Sequence, residues 1–548
     1  MFELKFLQTL SLGGNRLEGP IPDQFGRLRI MRSMDLSGNA LSGPLPASVG
    51  SMQFLKDLRL GNNRLSGPVP EAWRGLKILW HLGLAGNTGL SGALPAWLGE
   101  LPYLAELAVA GTRVGGEVPD VFDGLPHLAT LDLSSNALTG EIPASLYRAT
   151  TLRALNLGNN RLRGGLAPAV GNLTRLVELN LGGNELRGPV PPELGRLTQA
   201  AFLDLAGNDF AGGIPAELGA MDGLKELKLA QNALEGEIPT ELFRPPRLRV
   251  VHLDSNALGG ELPREGLLMA RNLREFHAAG NRLYGPLPLE LGGTELQSLV
   301  LHSNNLLGPL PPALVARWAR LARLDLAGNY LEGPLPAEVA GMEVLGELDL
   351  HGNRLSGPVG DALARCRRLF KLDLSRNGFT GAVPPFLAAL PKLKHADLSH
   401  NQLSGGLPAA FWTGTEVVPL PALRSDEQVK PRHINLGDNP LWCPLPAWAD
   451  RVFATCRHLE IEDLEPSEGR AAGGDVVTLT GSGFPAGAGA GCVFGAREAA
   501  AWVAAAETGP GWVACRTPGG AAGASVVVRV GFNGTALSRF GEAFDYVR

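Results

Sequence analysis

Seven side chains that could bind charged groups or metal ions lie at regular intervals along this chain. They fall into two groups, and within each group the spacing between successive residues is nearly constant. Each of the seven stands between two apolar residues. The seven are Lys228, His252, His277, Asp325, Asp349, Asp373 and Asp397. Alternation of apolar and polar residues is typical of short strands with one buried face, so we expect these side chains on the exposed face.

The four aspartates should form a column of carboxylates, because parallel strands lie about 4.8 Å apart. Such a column could bind a basic peptide or Ca²⁺. The alternative interpretation is a solvated polar sheet, in which neighbouring cations relieve the repulsion. The candidate neighbours are Arg323, Lys371, Arg376 and His395.

Lys228, His252 and His277 form a second stretch, of potential cations. With His302 one repeat further on, the histidines could bind a metal, although neutral surface histidines are the preferred interpretation. We predict no metal and no cofactor. The sequence contains no HExxH, GxxxxGK or calcium-loop motif, and Gly481-Ser482-Gly483 has no strand-to-helix context. We therefore predict that the protein is not an enzyme.

A repeat with a period of about 24 residues must position these side chains. Eighteen units align on one asparagine or, once, on Thr112. The aligned residues are Asn15, Asn39, Asn63, Asn87, Thr112, Asn136, Asn160, Asn184, Asn208, Asn232, Asn256, Asn281, Asn304, Asn329, Asn353, Asn377, Asn401 and Asn439. The asparagine amide should bond to backbone groups of adjacent coils, and Gly140 should permit the next turn. Stacked units would bury one continuous leucine core.

Composition excludes several classes of protein. Gly (72) and Pro (42) make up about a fifth of 548 residues, while the hydrophobic fraction is an ordinary 45%, which favours many tight turns over disorder. The net charge of −5 argues against nucleic-acid binding. No apolar run is long enough to span a membrane. The chain begins inside a repeat without a signal peptide, so we expect a truncated N-terminus that lacks its cap.

The motif LxGxIP stands here as LEGPIP (17–22), LTGEIP (138–143) and LEGEIP (234–239). On this motif the chain resembles plant-type extracellular leucine-rich repeat proteins over residues 1–441. The resemblance implies an α/β solenoid, a right-handed superhelix with its parallel sheet on the concave face, which binds proteins, peptides or glycans. We expect one extra residue at Gly165-Leu166-Ala167-Pro168, and a 14-residue insertion within 414–431 that forms an exposed loop or a small ligand-binding island.

Residues 442–458 resemble the disulfide cap of extracellular leucine-rich repeats, which implies a bond between Cys443 and Cys456. Residues 459–548 are rich in valine between glycine and proline clusters and resemble an IPT/TIG domain, a small all-β immunoglobulin-like sandwich. Such domains occur in receptors and in DNA-binding factors. Six arginines, no lysine and ten acidic residues leave −4 here, which favours the receptor type.

The remaining cysteines and two sequons complete the predicted sites. Cys492 and Cys515 form the second expected disulfide, and Cys366 is either a small core residue or a reactive thiol. Asn172 and Asn533 begin glycosylation sequons, and Asn533-Gly534 equally suits a hairpin turn. These features favour an extracellular or cell-surface location.

The sequence thus predicts a receptor-like recognition protein in signalling or defence that binds a protein, peptide or glycan on its concave face. A wall or matrix adhesion protein is the alternative.

Overall fold

The structure is a computed structural model that describes residues 6–405 and 433–442 and, further on, strands between 452 and 547. For His433 and for the residues from Trp442 onward only backbone is described, apart from the side chain of Cys515. Residues 1–307 and 308–548 are two units, and each is described by itself.

In the first unit every coil begins with a short strand whose central residue is buried and whose flanking residues face outward; we call these the leucine strands. They are Thr9–Ser11, Ser33–Asp35, Asp57–Arg59, His81–Gly83, Glu106–Ala108, Thr130–Asp132, Ala154–Asn156, Glu178–Asn180, Phe202–Asp204, Glu226–Lys228, Val250–His252, Glu275–His277 and Ser298–Val300. Consecutive leucine strands pair in parallel, so that Leu131 lies opposite Leu155 and Leu155 opposite Leu179. The apolar column predicted from the repeat is therefore the core.

A second parallel strand, here called the glycine strand, follows the ladder asparagine in each coil. These are Glu18–Pro20, Ala40–Pro44, Arg64–Gly67, Gly89–Ala93, Arg113–Glu117, Ala137–Gly140, Arg161–Gly164, Glu185–Gly188, Asp209–Gly212, Ala233–Glu237, Ala257–Gly259, Tyr284–Gly285 and Asn305–Pro309. Gly140 has a φ of +79°, a left-handed conformation that side-chain-bearing residues rarely adopt. The motif glycine therefore has the predicted role of turning the chain.

Short helical turns return the chain to the next leucine strand. They are 3₁₀ turns at Asp23–Arg27, Ala47–Ser51, Glu71–Gly75, Ala96–Glu100, Phe122–Gly124, Leu146–Arg148, Pro168–Asn172, Pro192–Arg196, Ala216–Ala220, Thr240–Phe243 and Leu289–Gly293, and one α-helix at Arg264–Met269. Most begin after a proline in extended conformation, such as Pro191. Ala167 takes that position in its own coil, and the coil keeps the usual repeat length, so the expected extra residue at 165–168 is wrong.

The ladder asparagines connect each coil to its neighbours as predicted. Asn160 donates from Nδ2 to the carbonyls of Leu133 and Leu157, both at 3.0 Å, and its Oδ1 accepts the Leu138 N–H at 3.0 Å. Buried backbone groups at the bend would otherwise lack partners. Thr112 continues the ladder where asparagine is missing, because its hydroxyl lies within hydrogen-bonding distance of the Asn136 side chain.

The second unit repeats the same design. Its leucine strands are Arg323–Asp325, Glu347–Asp349, Lys371–Asp373, His395–Asp397, His433–Asn435 and Val452–Phe453; its glycine strands are Tyr330–Gly333, Arg354–Pro358, Gly378–Ala382, Gln402–Ser404, Leu441–Trp442 and Cys456–Arg457. Its helical turns are Pro312–Val315, Ala337–Gly341, Ala362–Arg365 and Phe386–Ala389.

The predicted insertion lies outside the described residues, but the coils on either side of it stack normally. The Leu403 N–H donates to Asn439 Oδ1 at 3.0 Å across 36 positions, whereas the same bond spans 22 positions in most other coils. The difference between these two spacings equals the length of the predicted insertion. His395 lies opposite His433 in the leucine-strand ladder, so the added chain leaves the register unchanged.

The C-terminal residues form a separate, mainly antiparallel arrangement of strands. The strands are Glu460–Glu465, Glu468–Arg470, Val476–Ser482, Ala490–Phe494, Ala501–Gly509, Trp512–Arg516, Ser525–Phe532, Thr535–Ala536 and Glu542–Val547. Ala501–Gly509 pairs first with Ala490–Phe494 and then with Trp512–Arg516. It therefore joins two groups of strands, in keeping with an immunoglobulin-like fold.

Candidate functional site

The exposed side of the leucine strands carries two side chains per coil, because residues i and i+2 of a strand point to the same side. In one coil these are Glu275 and His277, on either side of the fully buried Phe276. We call this surface the strand face. All seven predicted binding residues belong to leucine strands: Lys228, His252 and His277 lie on the strand face of the first unit, and the four aspartates lie on that of the second unit.

The four aspartates form the predicted column, since Asp325, Asp349, Asp373 and Asp397 follow one another in register. The expectation that all of them face solvent is wrong for two. Asp325 and Asp349 are only 7% and 8% exposed, because side chains of their own and neighbouring coils cover them.

Cations already pair with these two buried carboxylates. The Arg323 guanidinium lies 3.5 Å from Asp325 Oδ2, and Lys371 Nζ lies 3.2 Å from Asp349 Oδ2. His351 Nδ1 is 2.8 Å from Asp349 Oδ1. The sequence suggested that flanking cations compensate the charge of the column. Arg323 and Lys371 do so for Asp325 and Asp349.

Asp373 and Asp397 have serine partners instead. Oδ1 of each accepts the hydroxyl of the serine two residues on, Ser375 or Ser399, at 2.6 Å. Burial, together with the charges of Asp349 and Asp397, raises the pKa of Asp373, although hydrogen bonds from Ser375 oppose the shift. Within residues 6–405 neither carboxylate forms an ion pair.

The same turn recurs where no acidic column exists. Asp35 accepts from the Ser37 hydroxyl at 2.6 Å and Asp132 from the Ser134 hydroxyl at 2.7 Å. Aspartate at this position therefore also holds the bend after the strand, as Asx turns do. The recurring Asp-Leu-Ser sequence is the signal that predicts this role, which was missed because the prediction rested on charge alone.

The cationic stretch is brought together as predicted. The rings of His252 and His277 stack with centroids 4.3 Å apart and planes 2° apart. His252 Nε2 lies 3.3 Å from Glu275 Oε2, and His277 Nε2 lies 2.8 Å from Ser298 Oγ. His302 contacts Ser303 and belongs to no leucine strand.

Lys228 is held beside the histidine pair. Its Nζ lies 4.8 Å from the centre of the Phe202 ring and 3.8 Å from Glu226 Oε2. Lys228 and His252 are opposite one another in register. The three predicted cations therefore occupy three consecutive coils.

A further cationic column was missed. Lys225, Arg249 and Arg274 each precede a leucine strand and are exposed, and their backbones stack through hydrogen bonds between consecutive coils. Within residues 6–405 none of the three side chains forms an ion pair. The sequence contained the signal, since the three recur once per repeat, but the prediction used only the position between the paired apolar residues.

The remaining predicted sites are only partly described. Cys366 is buried and free, and burial raises the pKa of its thiol to about 11, which agrees with a core role rather than a reactive one. Cys515 is buried and disulfide-bonded. Its predicted pairing with Cys492, and that of Cys443 with Cys456, fall outside the described side chains and stay predictions.

The two sequons differ in what the structure describes. Asn172 is exposed at the end of a 3₁₀ turn, and Thr174 is exposed as well. Asn533 lies outside the described residues, between strands in which Phe532 and Thr535 pair. Among the described residues no helix is long and apolar enough to cross a membrane.

Comparison with known proteins places this geometry in a family. Residues 102–162 and 294–355 match the family model for leucine rich repeats, five further segments between residues 6 and 413 match a second leucine rich repeat model, and residues 459–546 match the IPT/TIG domain. Sequence comparison with curated proteins gave no match.

Solved structures of plant receptors resemble the chain over most of its length. The plant peptide hormone receptor RGFR1, in complex with RGF2, is 28% identical over 83% of this chain and 76% of its own, with a TM-score of 0.74. The Arabidopsis receptor kinase HAESA, in complex with the peptide hormone IDA and the co-receptor SERK1, is 30% identical over 80% of this chain and 76% of its own, with a TM-score of 0.69. The chain therefore belongs to the plant-type leucine-rich repeat proteins that these receptors represent, and it carries a C-terminal IPT/TIG domain.

Proposed function

We propose that this protein is a non-enzymatic, receptor-like recognition protein, located outside the cell or on its surface, that binds a peptide or a protein on its strand face. The observation that carries the proposal is the set of charged side chains on that face that the core and the ladder do not need. Similarity to receptors whose structures contain peptide hormones supports it.

Charge gives each stretch a different preference. Lys228 lies in the strand next to that of His252, and Lys225, Arg249 and Arg274 are exposed directly before the strands that carry Lys228, His252 and His277. Glu226 and Glu275 are the acidic residues of the same strands. This stretch suits acidic groups of a ligand. Asp373 and Asp397 suit basic groups of a ligand, because within residues 6–405 neither carboxylate forms an ion pair. Asp325 and Asp349 are already neutralised by cations of the chain. Fixed charges on a rigid scaffold accelerate association and set specificity.

A selection from a random-peptide display library tests the proposal without requiring that the ligand be identified first. The complete chain should enrich peptides, and Arg249→Gln/Arg274→Gln or Asp373→Asn/Asp397→Asn should reduce their affinity at least tenfold at low salt. The matched controls are Arg27→Gln/Arg196→Gln and Glu217→Gln/Glu338→Gln, since these residues are exposed on helical turns. Enriched peptides that bind these two double variants and the controls equally would refute the proposal.

A specific observation also favours the alternative, adhesion to matrix glycans. Phe54, Trp80 and Tyr103 are 53%, 49% and 50% exposed. The Tyr103 ring stacks on His127 with centroids 5.9 Å and planes 5° apart, and Trp80 lies 6.3 Å from His127. Trp80 and Tyr103 thus both lie beside one histidine ring, and contiguous exposed apolar surface marks interaction sites. Retention on insoluble wall polysaccharide that Trp80→Ala/Tyr103→Ala abolishes would support this second function.

A further inference from the structure

Contrary to the expectation from the sequence that no metal is bound, we propose that His252, Glu275 and His277 form a binding site for a transition-metal ion, with Zn²⁺ as the best-suited ion. The proposal concerns the strand face of residues 1–307 alone. It does not depend on peptide binding, because a metal ion can be measured without any other ligand.

The strand register brings the three side chains together. His252 and His277 lie directly opposite one another on adjacent parallel strands. Glu275 precedes His277 by two residues, so both side chains point to the strand face. The rigid ladder beneath them fixes the spacing, and no loop has to close to assemble the cluster.

The distances are close to those of a metal centre. One ligand atom from each of the three residues lies within 4.8 Å of the other two, and all three side chains are partly exposed. Zn–N bonds of about 2.0–2.1 Å in tetrahedral geometry place donor atoms about 3.4 Å apart. His252 Nε2 and Glu275 Oε2, at 3.3 Å, already have that separation. Small side-chain rotations at an exposed surface would bring in the third donor.

The donor set indicates the kind of ion. Imidazole nitrogen suits Zn²⁺, Cu²⁺ and Ni²⁺, whereas Mg²⁺ and Ca²⁺ require mostly oxygen donors. Two histidines and one carboxylate leave a fourth position open, as in zinc sites that bind water or a further ligand. Ser298 Oγ contacts His277 Nε2 at 2.8 Å and is placed to orient that ring, as outer-shell partners do.

A second cluster in the chain provides a contrast. Asp349, His351 and Asp373 also bring potential donor atoms within 4.8 Å of one another. There the Lys371 ammonium lies 3.2 Å from Asp349 Oδ2 and already supplies the positive charge. Around the histidine pair, Glu275 interacts with His252 instead of with a lysine. The cluster that contains Lys371 is therefore the natural control.

Calorimetric titration of the complete, metal-free chain with ZnCl₂ tests the site. We expect one Zn²⁺ per chain at the tightest site, with binding at least tenfold weaker in His252→Ala and in His277→Ala and unchanged in His351→Ala. His252→Phe preserves a flat ring in the stack while it removes both nitrogens, and Glu275→Gln preserves shape while it removes the charge. Both variants should also weaken binding, so loss of folding in an alanine variant would not obscure the result.

Spectroscopy gives an independent measurement. Titration with Co²⁺ in place of Zn²⁺ should produce visible absorption of a four-coordinate centre in the native chain and in His351→Ala, but not in His252→Phe. Equal Zn²⁺ affinity in the native chain and in His252→Phe, or equal loss in His252→Phe and His351→Ala, would overturn the proposal.

Discussion

A buried ladder asparagine such as Asn304 satisfies backbone groups in two coils at once, and it does so where water is excluded. Asn304 is 5% exposed; its Nδ2 donates to Ala278 and Leu301, and its Oδ1 accepts the Leu283 N–H. Truncation would leave the buried Leu283 N–H without its partner and would remove one donor from the carbonyls of Ala278 and Leu301. An unsatisfied buried N–H is far more costly than the loss of a surface hydrogen bond.

Asn304→Ala should therefore lower the free energy of unfolding by about 2–4 kcal/mol. The adjacent Asn305 is exposed, so Asn305→Ala should change it by less than about 0.5 kcal/mol. Urea unfolding with hydrogen exchange at the amides of Leu283 and its neighbours measures both. Equal effects of the two variants would contradict the role given to the ladder.

The burial-raised pKa of Asp373 makes a prediction about pH. A carboxyl group whose pKa is higher in the folded than in the unfolded state favours folding most when it is protonated. That contribution is complete below the unfolded pKa of about 3.9 and is lost as pH rises through the higher folded value. Asp373→Asn, which still accepts hydrogen bonds from Ser375, should thus equal or exceed the native chain in thermal midpoint at pH 7.

The difference should disappear in acid, where the native Asp373 is protonated. Thermal unfolding of the two proteins between pH 3 and pH 7 provides the measurement. A variant that is clearly less stable at pH 7 would mean that the Asp373 charge stabilises the coil.

At the scale of single residues, the sequence predicted the features that recur in every repeat. The ladder asparagines and the column positions follow from the repeat, so each was identified by number. Burial of Asp325 and Asp349 was not predictable in the same way, because it depends on Arg323 and on Lys371 of a neighbouring coil reaching across the face. The stacking of His252 on His277 depends likewise on rotamers that the strand spacing permits but does not dictate.

Among the elements, the helical turns pack against one another through glycine. A Cβ atom on Gly219 would overlap the carbonyl oxygen of Glu241 in the next turn, whereas Gly341 has nothing within 4 Å of that position. Both glycines lie in 3₁₀ turns with negative φ, so backbone strain does not separate them. The two glycines differ only in how closely the neighbouring coil approaches them.

Gly219→Ala should therefore destabilise the protein by about 1–3 kcal/mol, as overpacking usually does. Gly341→Ala should be neutral or slightly stabilising, because it removes chain entropy from the unfolded state. Differential scanning calorimetry of the two variants beside the native protein tests this. A larger loss for Gly341→Ala than for Gly219→Ala would show that coil packing is not the limiting contact.

The contacts on either side of the insertion before Asn439 predict what its removal would do to stability. Because the ladder bonds of Leu403 and Asn439 are normal across it, the extra chain is not needed for stacking. Deletion of residues 416–429 should restore the usual repeat spacing and leave the thermal midpoint nearly unchanged.

The same deletion tests the alternative that this segment is a ligand-binding island. Peptides enriched on the native chain should still bind the deletion variant if the strand face is the site. Loss of binding with unchanged stability would assign the site to the insertion instead.

Strands and turns were predictable where alternation and glycine recur, and less so where they do not. The leucine strands followed from residues such as Leu131 and Leu133 around Asp132. Ala501–Gly509 forms a nine-residue strand that the sequence did not reveal, because AWVAAAE lacks both alternation and β-branched residues apart from Val503. Tertiary pairing on both sides, rather than local preference, makes it extended.

For the whole molecule, a solenoid separates the requirements of folding from those of binding. The core uses the central residue of each leucine strand, and the strand face uses the two beside it, so the face can change while the stack persists. For that reason the motif predicts the family and the binding surface, but the ligand leaves no comparable periodic trace in the sequence.

Side-chain footprinting with hydroxyl radicals, with and without an enriched peptide, tests the central claim of strand-face binding most directly. We expect protection at Phe202, His252 and His277, which lie on the strand face. Oxidation of Met269 and Leu289 should stay unchanged, because they are 43% and 52% exposed on helical turns. Protection of Met269 and Leu289 with continued oxidation of His252 and His277 would contradict the account.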